Sequence, residues 1–476
     1  MSNSAQPNHK SVPFQKSAYL FFGKALPVIV LFLITIIYSR SLTYNDYGTF
    51  QSVWMYINIV NVVISFGLSS VILSTNLTFF FSFVKKNKKR IGLFYLAVII
   101  SALIIFFLFS KNFNSQTKLL LIAFIIIQNI VIVAETLLIK QGGERKAFII
   151  NLFYSVLFFG WHLYILFAGY SLVYLVTGIS VISIVKLVVI QFIPVINENY
   201  ELVTDDKKFA KHWSYVGVND ILGIISKWID KIFLLYLLTP ADFALFFNGS
   251  FEIPLFGLLV SVIGSVMLIE ISKTISTKER VMHLFKESFR LLSVIVFPLF
   301  FFLLFFRTEL FAVIFKNKYD PSIPIFLICI FILPIRINNY VTVLQYYQHG
   351  NKIMAGSVLD ICIAIILMIL LYPVLGTSGI ALGIVLATYC QALYYLWQSA
   401  KVLHTDILSL IPGKALFRTF ILMLLLYACL YYSLDRAAYI LKIVVAIILT
   451  TLIILTGLYL HFSKKHSNTY GLTTKT

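Results

Sequence analysis

Charged side chains occur inside long apolar runs of this sequence, where charge is rare. Asp220, Lys227, Asp230 and Lys231 form the densest group, and a rotation of about 100° per residue puts all four on one face of a helix. An ionisable group inside a membrane is costly, and it usually lines a cavity or pairs with another charge. This face could therefore bind an anionic substrate in a cleft, or it could form a structural ion cluster that joins helices.

Three further basic residues lie in apolar runs and could bind the same anion. Arg336 follows Pro334, which removes a backbone donor and breaks the helix, so the pair suits a binding site. A salt bridge to an acid such as Asp360 is the alternative role for Arg336. Lys186 is a similar candidate, and Lys24 either faces the cleft or extends to the inner membrane surface.

Acidic residues in these runs are candidates for carrying a coupling proton or sodium ion. For each of them a structural pairing with a basic residue is the alternative. The candidates are Glu135, Asp220, Asp230, Glu252 and Asp360. We expect His162 at the membrane interface and not in a proton relay. No metal ligands, cofactor motif or catalytic group stand out, and the ATP-binding pattern GxxxxGK[ST] is absent, so we predict that the protein is not an enzyme.

The elements that hold these residues are predicted to be membrane-spanning helices. Of the 476 residues, 60% are hydrophobic and 12% are charged, whereas soluble domains have about 25% charged residues. Runs of about 20 apolar residues are long enough to cross a bilayer. We predict an all-α polytopic membrane protein with about fourteen transmembrane helices, from 18–39 to 437–462.

The basic residues also predict how the chain is oriented. With both termini in the cytoplasm, most loop lysines and arginines fall on the cytoplasmic side, as the positive-inside rule requires. The net charge of +19 is explained in this way and does not indicate nucleic-acid binding. The cysteines have no paired spacing and are predicted to be packing residues; they are Cys329, Cys362, Cys390 and Cys429.

Short sequence echoes indicate an internal repeat of six helices. The turn LTYNDY at 42–47 returns as LTPADF at 238–243, QGGER at 141–145 returns as QHGNK at 348–352, and GYS at 169–171 returns as GTS at 376–378. An even number of spans gives both copies one orientation, so two lobes in parallel pseudo-symmetry would enclose a central cleft and work by alternating access.

The repeat predicts the domain organisation of the chain. We expect an N-lobe with six helices, a cytoplasmic linker, a C-lobe with six helices, and a final segment with two added helices and a cytoplasmic tail. The corresponding ranges are 1–196, 197–211, 212–400 and 401–476.

The same turns resemble those of a known family. Gly23-Lys24 and the stretch from Ser39 to Gly48 resemble the start and end of the first span of polysaccharide transporters. Asp230-Lys231, the turn at 238–243 and the segment from Gly376 to Ala381 resemble their second lobe. The similarity covers essentially the whole chain, and it is to Wzx-type repeat-unit flippases of the MOP exporter superfamily.

This resemblance implies a specific activity. Such flippases move undecaprenyl-diphosphate-linked oligosaccharide units, for O-antigen, lipopolysaccharide or capsule, across the bacterial cytoplasmic membrane. The implied partners are the lipid-linked oligosaccharide and membrane lipids, with the polysaccharide polymerase machinery as a further candidate and no nucleic acid. Basic cleft residues would hold the diphosphate; by position they are Lys24, Lys186, Lys227, Lys231 and Arg336.

Other functional classes fit the sequence less well. A MATE-like cation-coupled antiporter of drugs or small molecules is the main alternative; it would have twelve spans and an acid-rich cleft without need for lysine or arginine. A polysaccharide polymerase or membrane glycosyltransferase would need a long outer loop. A purely structural scaffold would not need buried basic residues on one helix face.

Overall fold

The structure of the protein is a computed structural model. It describes residues 11–75, 77–110, 113–191, 206–250 and 277–470, together with Val260, Ile263, Gly264, Met267 and Ile271. This part of the chain contains helices and no strand, which confirms the all-α prediction. The chain divides into two compact units, Met1–Trp228 and Ile229–Thr476. The predicted lobe boundaries at 196 and 212 stay a prediction.

The first unit contains eight helices and most of a ninth. They are α1 (Ser11–Ser41), α2 (Tyr44–Ser65), α3 (Leu68–Ser74), α4 (Leu77–Lys86), α5 (Lys88–Phe109), α6 (Ser115–Lys140), α7 (Glu144–Phe167), α8 (Leu172–Gln191) and α9 (Asp206–Leu237).

The second unit begins inside α9 and continues with ten described helices. They are α10 (Pro240–Gly249), α11 (Lys278–Phe305), α12 (Arg307–Phe315), α13 (Ile323–Cys329, after a 3₁₀ turn at Asp320–Ser322), α14 (Ile332–Ile335), α15 (Thr342–Tyr346), α16 (Gly350–Leu403), α17 (Ile407–Leu410), α18 (Gly413–Ser433) and α19 (Tyr439–Tyr470).

The described helices confirm a multi-pass membrane protein. Nine are long and apolar enough to cross a membrane, or ten if α2 and α3 form one span bent by 54°. Helix α16 holds two predicted spans, 353–373 and 378–400, which meet at the non-helical Gly376. Helix α9 contains nearly all of predicted span 212–238, but it carries more charged residues than the nine apolar helices and is not among them. Predicted span 321–346 is divided among α13, α14 and α15, and most of span 243–270 lies outside the described residues.

The first sequence echo has the same local structure in both copies. Thr43 caps α2 by accepting a hydrogen bond from the Asp46 backbone N–H at 3.1 Å, and Thr239 caps α10 by accepting from the Asp242 N–H at 3.2 Å. In each copy the threonine hydroxyl also donates to the aspartate carboxylate at 2.7 Å. A threonine followed by an acid satisfies N–H groups that a helix start leaves unpaired. The repeated turn is therefore a repeated helix start.

The glycines of the third echo also match. Gly169 follows the end of α7 with φ 96°, and Gly376 divides α16 with φ 59°. Positive φ is strained for residues with a side chain and is favoured by glycine. The four cysteines are unpaired, but their predicted packing role is not supported for three of them. Cys329 is half-buried, whereas Cys362, Cys390 and Cys429 are exposed and do not pack inside the protein.

The bend between α2 and α3 depends on a glycine contact. Phe66 and Gly67 have left-handed backbones with φ 40° and 72°. A Cβ atom on Gly67 would lie 2.7 Å from the backbone nitrogen of Gly217 in α9. Glycine is thus required both for the conformation and for the close approach of the two segments.

We expect Gly67→Ala to lower the melting temperature of the purified protein. Positive φ alone costs a non-glycine residue about 1–3 kcal/mol, and displacement of the Gly217 backbone adds to this. The control is Gly142→Ala, because Gly142 has φ 83° but no atom within 4 Å of the added Cβ. Equal losses in the two variants would contradict the close contact between Gly67 and α9.

The start of α9 is held by α4. Phe209 packs on Phe83 with ring centroids 4.6 Å apart, and Trp213 lies 6.3 Å from the same ring. The Lys86 ammonium lies 2.8 Å from the carboxylate of Asp206, and this hydrogen bond lowers the pKa of Asp206. These contacts fix where α9 begins and therefore where its charged residues lie.

Candidate functional site

Two of the predicted site residues form a closed network inside the first unit. Lys186 in α8 lies 2.7 Å from the carboxylate of Glu135 in α6 and donates to the Asn151 side-chain oxygen in α7 at 2.6 Å. Asn151 in turn donates to the other Glu135 oxygen at 2.7 Å, and the ammonium lies 4.6 Å from the Tyr154 ring centre. Lys186 is only 7% exposed. These contacts favour a structural role, because each charge is satisfied by the network itself.

A second ion pair lies in the part of α9 that belongs to the second unit. Lys231 and its neighbour Asp230 are 2.7 Å apart, and their side chains are 12% and 6% exposed. Nearer the start of the helix, Asp220 accepts a hydrogen bond from the Ser70 hydroxyl at 3.0 Å. The charges of α9 therefore differ in their surroundings, although the sequence pattern treats them as one group.

Lys227 is the residue of this group that stays open to solvent. Its side chain is exposed near the middle of the predicted span, with its ammonium 5.9 Å from the Trp228 ring centre. Within the described ranges, no acidic side chain pairs with it. A lysine at the bilayer centre costs at least about 2.5–3.5 kcal/mol when it faces lipid. An exposed lysine at this depth therefore fits a position that lines a water-filled cavity.

The predicted break around Arg336 is present. Helix α14 ends one residue after Pro334, and Arg336 follows it outside any helix. The nearby Asn338 is buried, accepts a hydrogen bond from the Ser288 hydroxyl in α11 and donates to the Phe285 carbonyl at 3.4 Å. These hydrogen bonds hold the irregular backbone against α11 and so fix the position of the Arg336 backbone.

The other predicted site residues are dispersed. Lys24 is exposed near the start of the apolar part of α1, next to Gly23, which packs against Phe148 of α7. Asp360 is buried in the first half of α16, with 8% exposure. Glu252 lies outside the described residues. The structure thus brings together Glu135 with Lys186 and Asp230 with Lys231, and the anion-binding and ion-coupling roles stay predictions.

His162 is more enclosed than an interfacial position predicts. Its ring is completely buried, 4.3 Å from the Phe158 ring centre and stacked on Trp54 at 6.3 Å. Its Nδ1 lies 2.8 Å from the Phe158 carbonyl, and the Tyr38 hydroxyl donates to the His162 carbonyl at 2.9 Å. These aromatic neighbours bury the ring. The position of His162 near the end of a predicted span does not indicate this burial.

Two buried polar pairs do not follow from the sequence pattern. Asn129 in α6 donates to Asn61 in α2 at 2.5 Å, and Lys442 in α19 lies 3.6 Å from Glu309 in α12. The two amides carry no charge, so they do not stand out in an apolar run as an ionisable residue does. Glu309 lies in a stretch that the sequence predicts to be a loop, so its contact with Lys442 of α19 could not be expected. Among the described residues, no cluster of histidine, cysteine and acidic side chains could hold a metal ion.

Solved structures show which fold these helices form. The lipid II flippase MurJ, in an inward closed conformation, matches 95% of this chain and 99% of its own with a TM-score of 0.69 and 15% identity. An inward-facing multidrug resistance MATE transporter of the MOP superfamily covers 81% of this chain and 98% of its own, with a TM-score of 0.55 and 14% identity. A MOP superfamily transporter from Pyrococcus furiosus covers 82% and 94%, with a TM-score of 0.55 and 15% identity. The chain has the MOP-superfamily fold.

Sequence comparison identifies the family. A search of curated proteins finds no match. The family model described as "Polysaccharide biosynthesis protein" matches residues 37–324, which is more than half of the chain. The solved structures with this fold are described as a flippase and as transporters. The chain belongs to the polysaccharide biosynthesis protein family and has the fold of MOP-superfamily transporters.

Proposed function

We propose that this protein is a flippase for undecaprenyl-diphosphate-linked oligosaccharide repeat units. The observation that carries the proposal is the match to the MurJ fold over 95% of the chain, in a member of a polysaccharide biosynthesis family. The MATE transporter and the Pyrococcus furiosus transporter match only about four fifths of the chain. A cargo consisting of a lipid, a diphosphate and sugars is the kind of intermediate that polysaccharide synthesis must carry across a membrane.

The charges support an anionic cargo. Lys227 is exposed in the middle of a predicted span, and Lys24 is exposed at the start of another. By contrast, Glu135 and Asp230 are paired with lysines. A site for a cationic drug would need free acids, whereas a site for a diphosphate needs free cations. We assign diphosphate binding to the exposed Lys24 and Lys227, and a structural role to the network of Lys186 and Glu135. Arg336 stays a candidate because of its position beside the helix break at Pro334.

The proposal includes a location and an orientation. The distribution of lysine and arginine in the loops supports a bacterial cytoplasmic membrane protein with both termini in the cytoplasm. The cargo would enter from the cytoplasmic leaflet, with its tail in the bilayer, and leave on the opposite side by alternating access. The polymerase that joins repeat units would then be the next protein to receive it.

One observation favours the cation-coupled antiporter as the second candidate. Asp220 accepts a hydrogen bond from Ser70 but has no basic partner in the described part of the chain. A carboxylate of this kind could carry a coupling proton or sodium ion. It could serve a flippase equally well, so Asp220 alone does not decide between the two functions.

The proposal is tested in cells that lack the gene. We expect the lipid-linked repeat unit to accumulate on the cytoplasmic face and to disappear from it when the wild-type gene is returned. The measurement is extraction of the lipid-linked oligosaccharide after labelling of its externally accessible sugars. Normal external labelling in the deletion strain, with increased sensitivity to cationic drugs, would support the antiporter instead.

A further inference from the structure

A groove in the second unit lies between helices that include the two outside the repeat. It has a volume of about 880 Å³ and is lined by α11, α18 and α19. We name it the basic groove after three of its lining residues, Arg280 and Arg290 in α11 and Arg418 in α18. All three arginines are exposed. Cavities of about 300–1,000 Å³ are typical of small-molecule sites, so the groove has the size of a binding site.

The three helices arrange polar and apolar residues in the same order along the groove. Charged side chains lie at one end, where α11 and α18 begin and α19 approaches its end. Apolar side chains line the other end; they include Val294, Pro298, Met423 and Ile453. From Arg280 to Pro298 the groove follows α11 for about 27 Å, at 1.5 Å per residue. A ligand that fits this order has an anionic head and an apolar tail.

The charges in the groove are only partly neutralised. Glu287 is its acidic residue; one oxygen lies 3.3 Å from Arg290 and the other 3.1 Å from His461. In the described part of the chain, no acidic side chain pairs with Arg280 or Arg418. Two guanidinium groups therefore remain available, and guanidinium binds phosphate through parallel hydrogen bonds. The charged end of the groove is the one that the loop charges predict to be cytoplasmic, where membrane lipids are anionic.

The floor of the groove is a built feature of the helix packing. Gly457 in α19 has no room for a side chain, because a Cβ atom there would clash with Val294 of α11. Helix α18 packs against α11 on the other side, with Phe420 4.9 Å from Phe301 between ring centres. The two C-terminal helices and α11 thus form the walls of the groove, which are basic at one end and apolar at the other.

We propose that the basic groove binds an anionic phospholipid of the cytoplasmic leaflet. Arg280 and Arg418 hold the phosphate, Glu287 positions Arg290 and His461 beside it, and the acyl chains lie along the apolar end. The groove has room for a headgroup and the upper part of the chains. None of the residues assigned to the cargo lines this groove, and lipid binding gives the two added helices a role of their own.

The test measures lipid retention by native mass spectrometry of the full-length protein in detergent. We expect the wild type to retain phosphatidylglycerol in preference to phosphatidylcholine. Arg280→Gln with Arg418→Gln should weaken phosphatidylglycerol binding about 25-fold, because each basic residue near an anionic lipid contributes a factor of about five. The control, Lys316→Gln with Arg436→Gln, removes two exposed charges elsewhere in the same unit and should bind as the wild type does. Arg280→Lys with Arg418→Lys, which keeps the charge, should retain most of the binding.

Several results would overturn the proposal. Equal retention of the two lipids by the wild type would show that charge does not select the ligand. An equal loss in the control would show a non-specific charge effect. Displacement by inorganic phosphate would indicate a free-anion site, and preferential retention of undecaprenyl diphosphate would make the groove part of the cargo site. Because no transport is measured, these outcomes are independent of the proposed flippase activity.

Discussion

Glu135→Gln is expected to destabilise the protein strongly. The substitution leaves the Lys186 ammonium, 7% exposed, without its negative partner among α6, α7 and α8. Removing one partner of a buried ion pair costs about 3–5 kcal/mol. For a unit of about this size we expect the melting temperature in detergent to fall on the order of 10 °C.

The companion variants separate the ion pair from general damage. Adding Lys186→Met to Glu135→Gln should restore most of the stability, because the new amide can still bond to Asn151 and no charge remains. Asp206→Asn, which breaks an exposed pair with Lys86, should change the melting temperature little. If the double variant were as unstable as the single one, the pairing would not be what stabilises these helices.

Lys227→Ala is expected to have the largest effect on transport. If Lys227 holds the diphosphate, its removal loses a charged hydrogen bond worth about 1.5–3 kcal/mol, which lowers the transport rate roughly 10- to 100-fold. The melting temperature should not fall, because the side chain is exposed and no described acid pairs with it. The measurement is transfer of lipid-linked oligosaccharide across vesicles that contain equal amounts of folded protein.

One control preserves the charge at position 227, and the other removes a different exposed lysine from the same helix. Lys227→Arg preserves a cation at the same place and should retain much of the rate, whereas Lys207→Ala removes an exposed lysine from the start of the same helix and should have little effect. Wild-type transport by Lys227→Ala would leave the flippase proposal standing but would remove Lys227 from the cargo site.

Features coded by neighbouring residues were predicted well from the sequence. The turns at Thr43 and Thr239 stand out in the sequence because similar residues recur between long apolar runs, and the structure gives both copies the same N-cap hydrogen bonds. Long apolar runs likewise predicted the helices, because each run is a local property of the sequence. Pro334 signalled the break before Arg336, since proline lacks the donor that a continuous helix needs.

Features that depend on distant partners were not predictable in the same way. Helical periodicity placed Lys227 and Lys231 on one face, but it could not show that only Lys231 has an ion-pair partner beside it. Lys186 and Glu135 are far apart in the sequence, so their pairing follows from the packing of α6 against α8. The burial of His162 was missed for the same reason, because neighbours such as Trp54 and Tyr38 come from other helices. Burial decides whether a membrane charge is structural or functional, and burial comes from tertiary packing.

The most direct test of the central claim is a transfer assay with the purified wild-type protein in liposomes. The cargo is undecaprenyl-diphosphate oligosaccharide with a fluorescent label on the sugar, and a membrane-impermeant quencher reports the label in the outer leaflet. We predict that the protein makes the inner-leaflet pool accessible to the quencher, whereas protein-free liposomes expose only the outer-leaflet share. If the inner pool stays protected in the presence of folded protein, while a cationic dye is moved under an imposed proton or sodium gradient, the flippase account is contradicted.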